Sequence, residues 1–211
     1  MLKNCNIRNL LFDLGGVIMD LDRGRAVRAF KSLGMDCADR VLGEYAQQGP
    51  FGALESGAIS VDEFHRQMAD LIDRPVDYSD IDRAFISFLD GIPVHRLDAL
   101  RELRDRFRIF LLSNTNSLMW ETEIARQFRQ QGLTINDYFD GIVTSFEAGV
   151  MKPDPAIFAY AERHLGIVPS ETVFLDDSQA NCDAASRLGW HTICVHPGTE
   201  FTDFLTEALS I

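Results

Sequence analysis

At 211 residues the chain has room for one or two domains and can bury a core without disulfides or metal staples. Its 20 basic and 32 acidic residues give a formal net charge of −12, which excludes a broad basic face for nucleic acid and disfavours an anionic membrane surface. Apolar residues make up 46% and charged residues 25%, as in ordinary folded domains.

No apolar run approaches the roughly 18–20 residues of a membrane span, and the start of the chain lacks the apolar stretch of a signal peptide. The four cysteines, Cys5, Cys37, Cys182 and Cys194, are scattered and read as free thiols in a reducing cytoplasm. Only three basic residues are lysines: Lys3, Lys31 and Lys152.

The first element is the run Leu10, Leu11 and Phe12, which is continuous rather than helical in its spacing. Such a run suits a strand covered on both faces, as in a parallel sheet. It stops at Asp13, and Gly15-Gly16 turns the chain. Residues 20–92 break the pattern. Helices are expected over 25–33, 37–48, 61–71 and 81–89, with Ser60 and Glu63 forming a capping box for the third. Phe64, Phe85 and Phe88 read as core at helical spacing, linkers fall near 19–23 and 91–94, and no strand is expected between them.

Beyond residue 93, helices and strands alternate. Helices are expected over 94–106, 118–131, 154–165 and 179–188, the last stopped by Gly189. Strands are expected over 107–113, 141–145, 172–176 and 191–195. The pattern predicts an α/β fold with a doubly wound parallel sheet. Residues 1–19 and 93–211 form its core, interrupted by a helical insertion over 20–92.

Polar residues gather at the carboxyl ends of these strands, where open α/β sheets place ligands. Asp13 lies beside two glycines, and Ser113 and Asn114 offer a hydroxyl and N–H donors. Lys152 precedes a helix, and Asp176-Asp177 pair two acids. Adjacent carboxylates repel each other, and a divalent cation relieves this; all-oxygen ligation favours Mg²⁺ over zinc. A metal, a lysine and hydroxyl or N–H donors together suit a phosphoryl group. Asp13 is then left as a nucleophile.

Four motifs in order carry a resemblance over nearly the whole chain. They are Phe-Asp-Leu-Gly-Gly-Val-Ile, Leu-Leu-Ser-Asn-Thr-Asn, Met-Lys-Pro-Asp-Pro-Ala-Ile-Phe and Phe-Leu-Asp-Asp-Ser-x-x-Asn. The sequence resembles the haloacid dehalogenase superfamily of aspartate-nucleophile phosphohydrolases. The resemblance implies a Rossmann-like core with a helical cap at the insertion. It implies Asp13 as nucleophile and Mg²⁺ ligand, and Ser113 and Asn114 as phosphate ligands. Lys152 becomes the charge stabiliser, Asp177 the principal Mg²⁺ ligand and Asp176 a supporting one. The backbone carbonyl of Gly15 completes the metal set. Asp-Leu-Gly-Gly-Val-Ile followed by Asp-x-Asp, with Leu-Glu-x-Gly-x-Ile-Ser in the insertion, is similar to the α-D-glucose-1-phosphate phosphatase subgroup. The implied substrate is a small phosphorylated metabolite, with a sugar phosphate favoured.

One position departs from the family pattern. Its phosphatases usually carry Asp two residues after the nucleophile as acid and base, and this chain has Gly15 there. Positioned acid–base catalysis is worth about 10²–10⁴-fold. Three readings follow: a substrate with a better leaving group, such as a sugar 1-phosphate; a surrogate donor (Asp20, Asp22, a cap residue or water); or a protein that binds a phosphometabolite with little turnover. Carbon–halogen hydrolysis needs no metal and is disfavoured by the acid pair. Schiff-base chemistry is disfavoured because Lys31 is the one lysine of the insertion. The segment Tyr45–Glu55 reads as a loop whose Gln47, Gln48 and Glu55 are candidates to bind sugar hydroxyls. No histidine sits in a motif, and nothing in the sequence fixes the oligomeric state.

Overall fold

The computed structural model describes residues 6–43 and 47–209. The element order is β1 (Asn9–Phe12), β2 (Asp20–Leu21), α1 (Arg23–Leu33), α2 (Ala38–Val41), α3 (Gly49–Glu55), α4 (Val61–Asp70), α5 (Tyr78–Ile86), β3 (Leu89–Gly91), α6 (Val94–Leu103) and β4 (Arg108–Ser113). After β4 come α7 (Ser117–Met119), a π-helical turn over Trp120–Ile124, α8 (Ala125–Phe128), a 3₁₀ turn over Arg129–Gln131 and α9 (Ile135–Tyr138). The chain continues through β5 (Gly141–Thr144), α10 (Ser145–Ala148), α11 (Pro155–Leu165), β6 (Thr172–Asp176), α12 (Gln179–Arg187), β7 (His191–Cys194) and α13 (Phe201–Leu209), with a 3₁₀ turn over Pro169–Glu171 before β6.

Five parallel strands form one sheet in the order β5-β4-β1-β6-β7. The chain runs outward from β1 through β4 to β5, then returns to β6 and β7 on the other side. The reversal therefore falls at β1, where α/β folds open a crevice for ligands. Alternate strand residues feed two apolar layers. Leu10, Phe12, Ile109, Leu111, Val173 and Leu175 point to one, and Leu11, Phe110, Leu112, Val143 and Phe174 to the other. Helices α11 and α12 cover the second layer through Ile157, Phe158, Ala161, Ala184 and Ala185. Helices α6 and α13 contribute Leu97, Leu100, Phe201 and Leu205 to the first. Each fully buried Val, Leu, Ile or Phe side chain among these contributes roughly 1.5–3 kcal/mol.

The first layer continues into the insertion. There Phe51 meets Phe30, Phe64 and Phe85 edge-on, with ring centroids 5.2, 5.5 and 4.9 Å away, the geometry aromatic quadrupoles favour. Phe64 and Phe85 thus take the core role expected of them. Phe88 is also buried, but both it and Phe85 reach the cavity described below.

The insertion differs from expectation in four ways. Residues 20–21 and 89–91 pair as a short antiparallel ribbon rather than running as bare linkers. Arg25 fastens this ribbon, donating to the carbonyls of Ser87 and Leu89 and pairing with Asp90 at 2.8 Å. The helix expected over 37–48 ends at Val41, because the Arg23 guanidinium takes the carbonyls of Asp39 and Leu42. Gly49–Glu55, expected as loop, is a helix with Pro50 in its first turn, where a missing N–H costs nothing. Half of the capping box is made: Ser60 accepts from the Glu63 N–H, while the Glu63 side chain turns to Arg66 and Gln67. Tyr45 and Cys5 lie outside the described residues.

The helix expected over 118–131 runs without a gap from Ser117 to Gln131, widening to a π-helical turn over Trp120–Ile124 and tightening to a 3₁₀ turn over Arg129–Gln131. Among the described residues no helix is long and apolar enough to cross a membrane. Cys182 is buried, and Cys37 and Cys194 are partly so; all three are free thiols.

Candidate active site

Register brings the polar strand ends together. Phe12 on β1 lies opposite Leu111 on β4 and Leu175 on β6, so the next residue on β1, Asp13, sits level with Asp176. The Asp13 N–H donates to the Leu175 carbonyl at 2.8 Å, which extends the ladder one step past the strand. A cavity opens above these ends. Asp13, Gly15, Ser113, Asn114, Lys152 and Asp177 line it from the core side. Leu21, Gln47, Glu55, Phe85, Phe88 and Leu89 line it from the insertion side. Of the predicted site residues, Asp176 stands just behind this wall, fully buried.

Lys152 is the hub. Its ammonium donates to the Leu112 carbonyl at 2.9 Å and to Asp176 Oδ2 at 2.7 Å, and lies 2.8 Å from Asp13 Oδ1. An ammonium has three N–H bonds, and all three are used. Its side chain is fully enclosed, in contrast to the solvated loop lysine that its sequence neighbourhood alone suggests. Asn114 holds the Lys152 backbone through a reciprocal pair, donating to its carbonyl and accepting from its N–H, both at 2.9 Å. The Asn114 side chain thus positions Lys152, and its amide is committed there.

The three acids differ in how they are held. Asp176 Oδ1 accepts from the Ser178 N–H and from Asn181 Nδ2, both at 2.9 Å, and its Oδ2 takes Lys152, so the carboxylate is fully hydrogen-bonded. Asp13 Oδ1 accepts from the Leu14 N–H at 2.7 Å as well as from Lys152; among the described residues its Oδ2 accepts nothing. Burial pushes the Asp13 carboxyl well above the usual range, as do Asp176 and Asp177, against the pull of Lys152. Burial and the neighbouring Asp176 raise Asp177 to about 6. Burial acts to lower Lys152, but Asp13 and Asp176 outweigh it and hold the ammonium above its ordinary value.

Oxygen atoms of Asp13, Asp176 and Asp177 lie within 4.8 Å of one another. One lysine compensates two of these acids and leaves Asp177 without a cation partner among the described residues. A set of hard oxygen donors with excess negative charge fits Mg²⁺. The turn is shaped to the same end. Gly16 has φ +71°, and a Cβ there would collide with the Asp177 carboxyl, so the absence of a side chain lets the two strand-end loops close together.

The surrogate donors considered from sequence are placed elsewhere. Asp20 pairs with the buried Arg96 at 2.8 Å, and Asp22 caps α1 by accepting from the Arg25 N–H. Neither lines the cavity, and no histidine does. Lys31 pairs with Asp39 at 3.2 Å, away from the site. A Cβ on Gly15 would meet Leu21 Cδ1 at 2.9 Å, so Leu21 fills the space that a side chain at 15 would need. Gln47 and Glu55 reach the cavity; Gln48 does not line it.

Ser145, to which the sequence gives no role, does not line the cavity but braces the elements that do. Fully buried, its hydroxyl accepts from the Thr115 N–H at 3.0 Å and lies 2.6 Å from the Glu55 carbonyl as its donor. It joins the insertion to the loop after β4. A serine after a strand carries no sequence signal for this, since its partners are 30 and 90 residues away.

Comparison with known proteins agrees with this architecture. The chain is 37% identical over 204 residues to the D-ribitol-5-phosphate phosphatase of Bacteroides thetaiotaomicron, covering 97% of this chain and 99% of that protein. A HAD family enzyme of the same organism, solved with magnesium and inorganic phosphate, superposes with a TM-score of 0.88 at 36% identity, over 94% of this chain and 98% of the other. A predicted HAD-like family hydrolase from Porphyromonas gingivalis gives a TM-score of 0.88 at 35% identity, over 96% and 97%. The family described as haloacid dehalogenase-like hydrolase matches residues 7–189, and the chain belongs to it.

Proposed function

We propose that this protein is a magnesium-dependent phosphoric monoester hydrolase that acts on a small phosphorylated polyol or sugar, with Asp13 as nucleophile and an aspartyl phosphate as intermediate. One observation carries the reading. Asp13 lines the cavity, and among the described residues no hydrogen-bond donor meets its Oδ2, while its Oδ1 is fixed by Lys152 and the Leu14 N–H. A nucleophile held at one oxygen and open at the other is oriented for in-line attack.

Asp13, Asp177 and the Gly15 carbonyl would hold the magnesium, with Asp176 in support; the ion supplies charge neutralisation for the phosphoryl oxygens. Ser113 and the Asn114 N–H hold the phosphoryl group in place, and Lys152, in direct contact with Asp13, offsets its negative charge. Asp176 keeps Lys152 charged and aimed. Residues 20–92 serve as a cap over the core formed by 1–19 and 93–211, and their lining residues read the part of the substrate beyond the phosphate. Gln47 Oε1 is buried without a hydrogen-bond donor among the described residues and lines the cavity, an acceptor suited to a substrate hydroxyl. The similarity to a D-ribitol-5-phosphate phosphatase supports a polyol or sugar phosphate.

The test is phosphate release with magnesium from ribitol 5-phosphate and glucose 1-phosphate. Turnover abolished by EDTA and by Asp13→Asn is the expected result. A higher kcat/KM for glucose 1-phosphate identifies the sugar 1-phosphate class suggested by Gly15. Tight binding of both esters without phosphate release makes the protein a binding module instead.

A further inference from the structure

We propose that Glu55 is the acid and base of the reaction, a catalytic residue supplied by the insertion; the proposal rests on the phosphatase reading above. Among the described residues, four that line the cavity carry titratable side chains: Asp13, Glu55, Lys152 and Asp177. Asp13 receives the phosphoryl group, Asp177 must stay ionised to hold a cation, and Lys152 has spent its three N–H bonds. Among the described lining residues, Glu55 is the one that remains. Among the described residues, neither a cation nor a hydrogen-bond donor meets its carboxyl. An alkoxide leaving a phosphate ester needs a proton at the moment of departure, and a carboxylic acid within the cavity supplies it.

The structure also fixes where Glu55 stands. It ends α3, and its carbonyl is held by Ser145 Oγ, which binds Thr115 directly after the Ser113-Asn114 pair. Two residues on, Gly57 packs so closely on the Phe146 carbonyl that a Cβ would collide with it. The last turn of α3 is thereby registered against the core loops. Gly15 brings no side chain to the cavity, and Leu21 occupies the adjoining space. Helices α4 and α10, which pack on α3, carry Asp62, Glu63, His65, Arg66, Asp70 and Glu147; none of these lines the cavity. Burial raises the Glu55 carboxyl to about 8, so it holds its proton at neutral pH.

The two steps balance. In the first, an Asp13 oxygen bonds to phosphorus, the bond from phosphorus to the ester oxygen breaks, and that oxygen takes the Glu55 proton, releasing the alcohol. In the second, Glu55 carboxylate takes a proton from water, the resulting hydroxide oxygen bonds to phosphorus, and the bond to Asp13 breaks. Inorganic phosphate leaves, with Glu55 protonated and Asp13 ionised as at the start.

The experiment compares wild type, Glu55→Gln and Glu55→Asp on ribitol 5-phosphate and on 2,4-dinitrophenyl phosphate, whose leaving group needs no proton. Glu55→Gln lowers kcat on ribitol 5-phosphate at least 100-fold, on the order of the acid–base contribution. On the aryl ester it gives a burst of about one dinitrophenolate per site followed by slow turnover, because the second step lacks its base. Glu55→Asp recovers part of kcat. In wild type, kcat/KM on ribitol 5-phosphate falls as pH rises past the Glu55 titration, and Glu55→Gln lacks this limb. The proposal is overturned if folded Glu55→Gln keeps kcat within about threefold, if only KM rises, or if the burst is lost together with turnover. Wild-type protein inactive on both esters with magnesium overturns the phosphatase reading itself.

Discussion

Lys152 Nζ and Asp176 Oδ2 meet at 2.7 Å with both side chains fully enclosed, and Asp13 completes the cluster at 2.8 Å on the other side of the ammonium. A buried pair of this kind is costly to break from one side, because the remaining charge is left without compensation. Lys152→Met strands two carboxylates at once. It is expected to lower the unfolding free energy by about 3–5 kcal/mol, read from urea melts at pH 7. The matched Lys152→Met/Asp176→Leu variant is expected to recover part of that loss. Both variants lack measurable phosphate release.

Ser145 offers a test of how the insertion is held in register. Ser145→Ala removes the donor to the Glu55 carbonyl and the acceptor for the Thr115 N–H. Leaving buried backbone groups unpaired costs about 1–3 kcal/mol. The melting temperature falls accordingly, and kcat falls on ribitol 5-phosphate more than on 2,4-dinitrophenyl phosphate. An equal fall on both esters would assign Ser145 to the phosphate end of the site alone.

Gly15 and Leu21 compete for one volume. Gly15→Ala places a Cβ 2.9 Å from Leu21 Cδ1, and overpacking of this kind typically costs about 1–3 kcal/mol. The paired Gly15→Ala/Leu21→Ala variant relieves the clash, so its loss is smaller than the sum of the two single losses. Thermal unfolding of the four proteins measures this coupling directly.

The Glu55 carboxyl carries a stability signature independent of activity. Its value in the folded protein, about 8, lies above that of an exposed glutamate near 4.5. Between these values the folded protein holds a proton that the unfolded chain releases, so this group's contribution to stability declines as pH rises through the window. Glu55→Gln removes the decline. Its melting temperature therefore gains on that of wild type between pH 5 and pH 8, while the two differ least near pH 4.

The strands and their polar ends were legible in the sequence because both signals are local. A parallel strand covered on both faces reads as an unbroken apolar run, as Leu10–Phe12 and Val173–Leu175 do. The order of Asp13, Ser113, Lys152 and Asp176-Asp177 along the chain then implied one sheet edge, and the register of β1 with β4 and β6 placed them there. Tertiary structure alone decided the rest. Helix α3 forms where glycine and proline suggested a loop, because Phe51 and Leu54 find a buried surface that propensity does not contain. Lys152 is enclosed by acids at the ends of the neighbouring strands β1 and β6, the amide of Asn114 is committed to its backbone, and Ser145 ties Glu55 to the core. Each of these depends on groups separated by 24 to 139 residues. Local spacing cannot encode such pairings; they appear only when packing brings the partners within hydrogen-bond reach and excludes water around them.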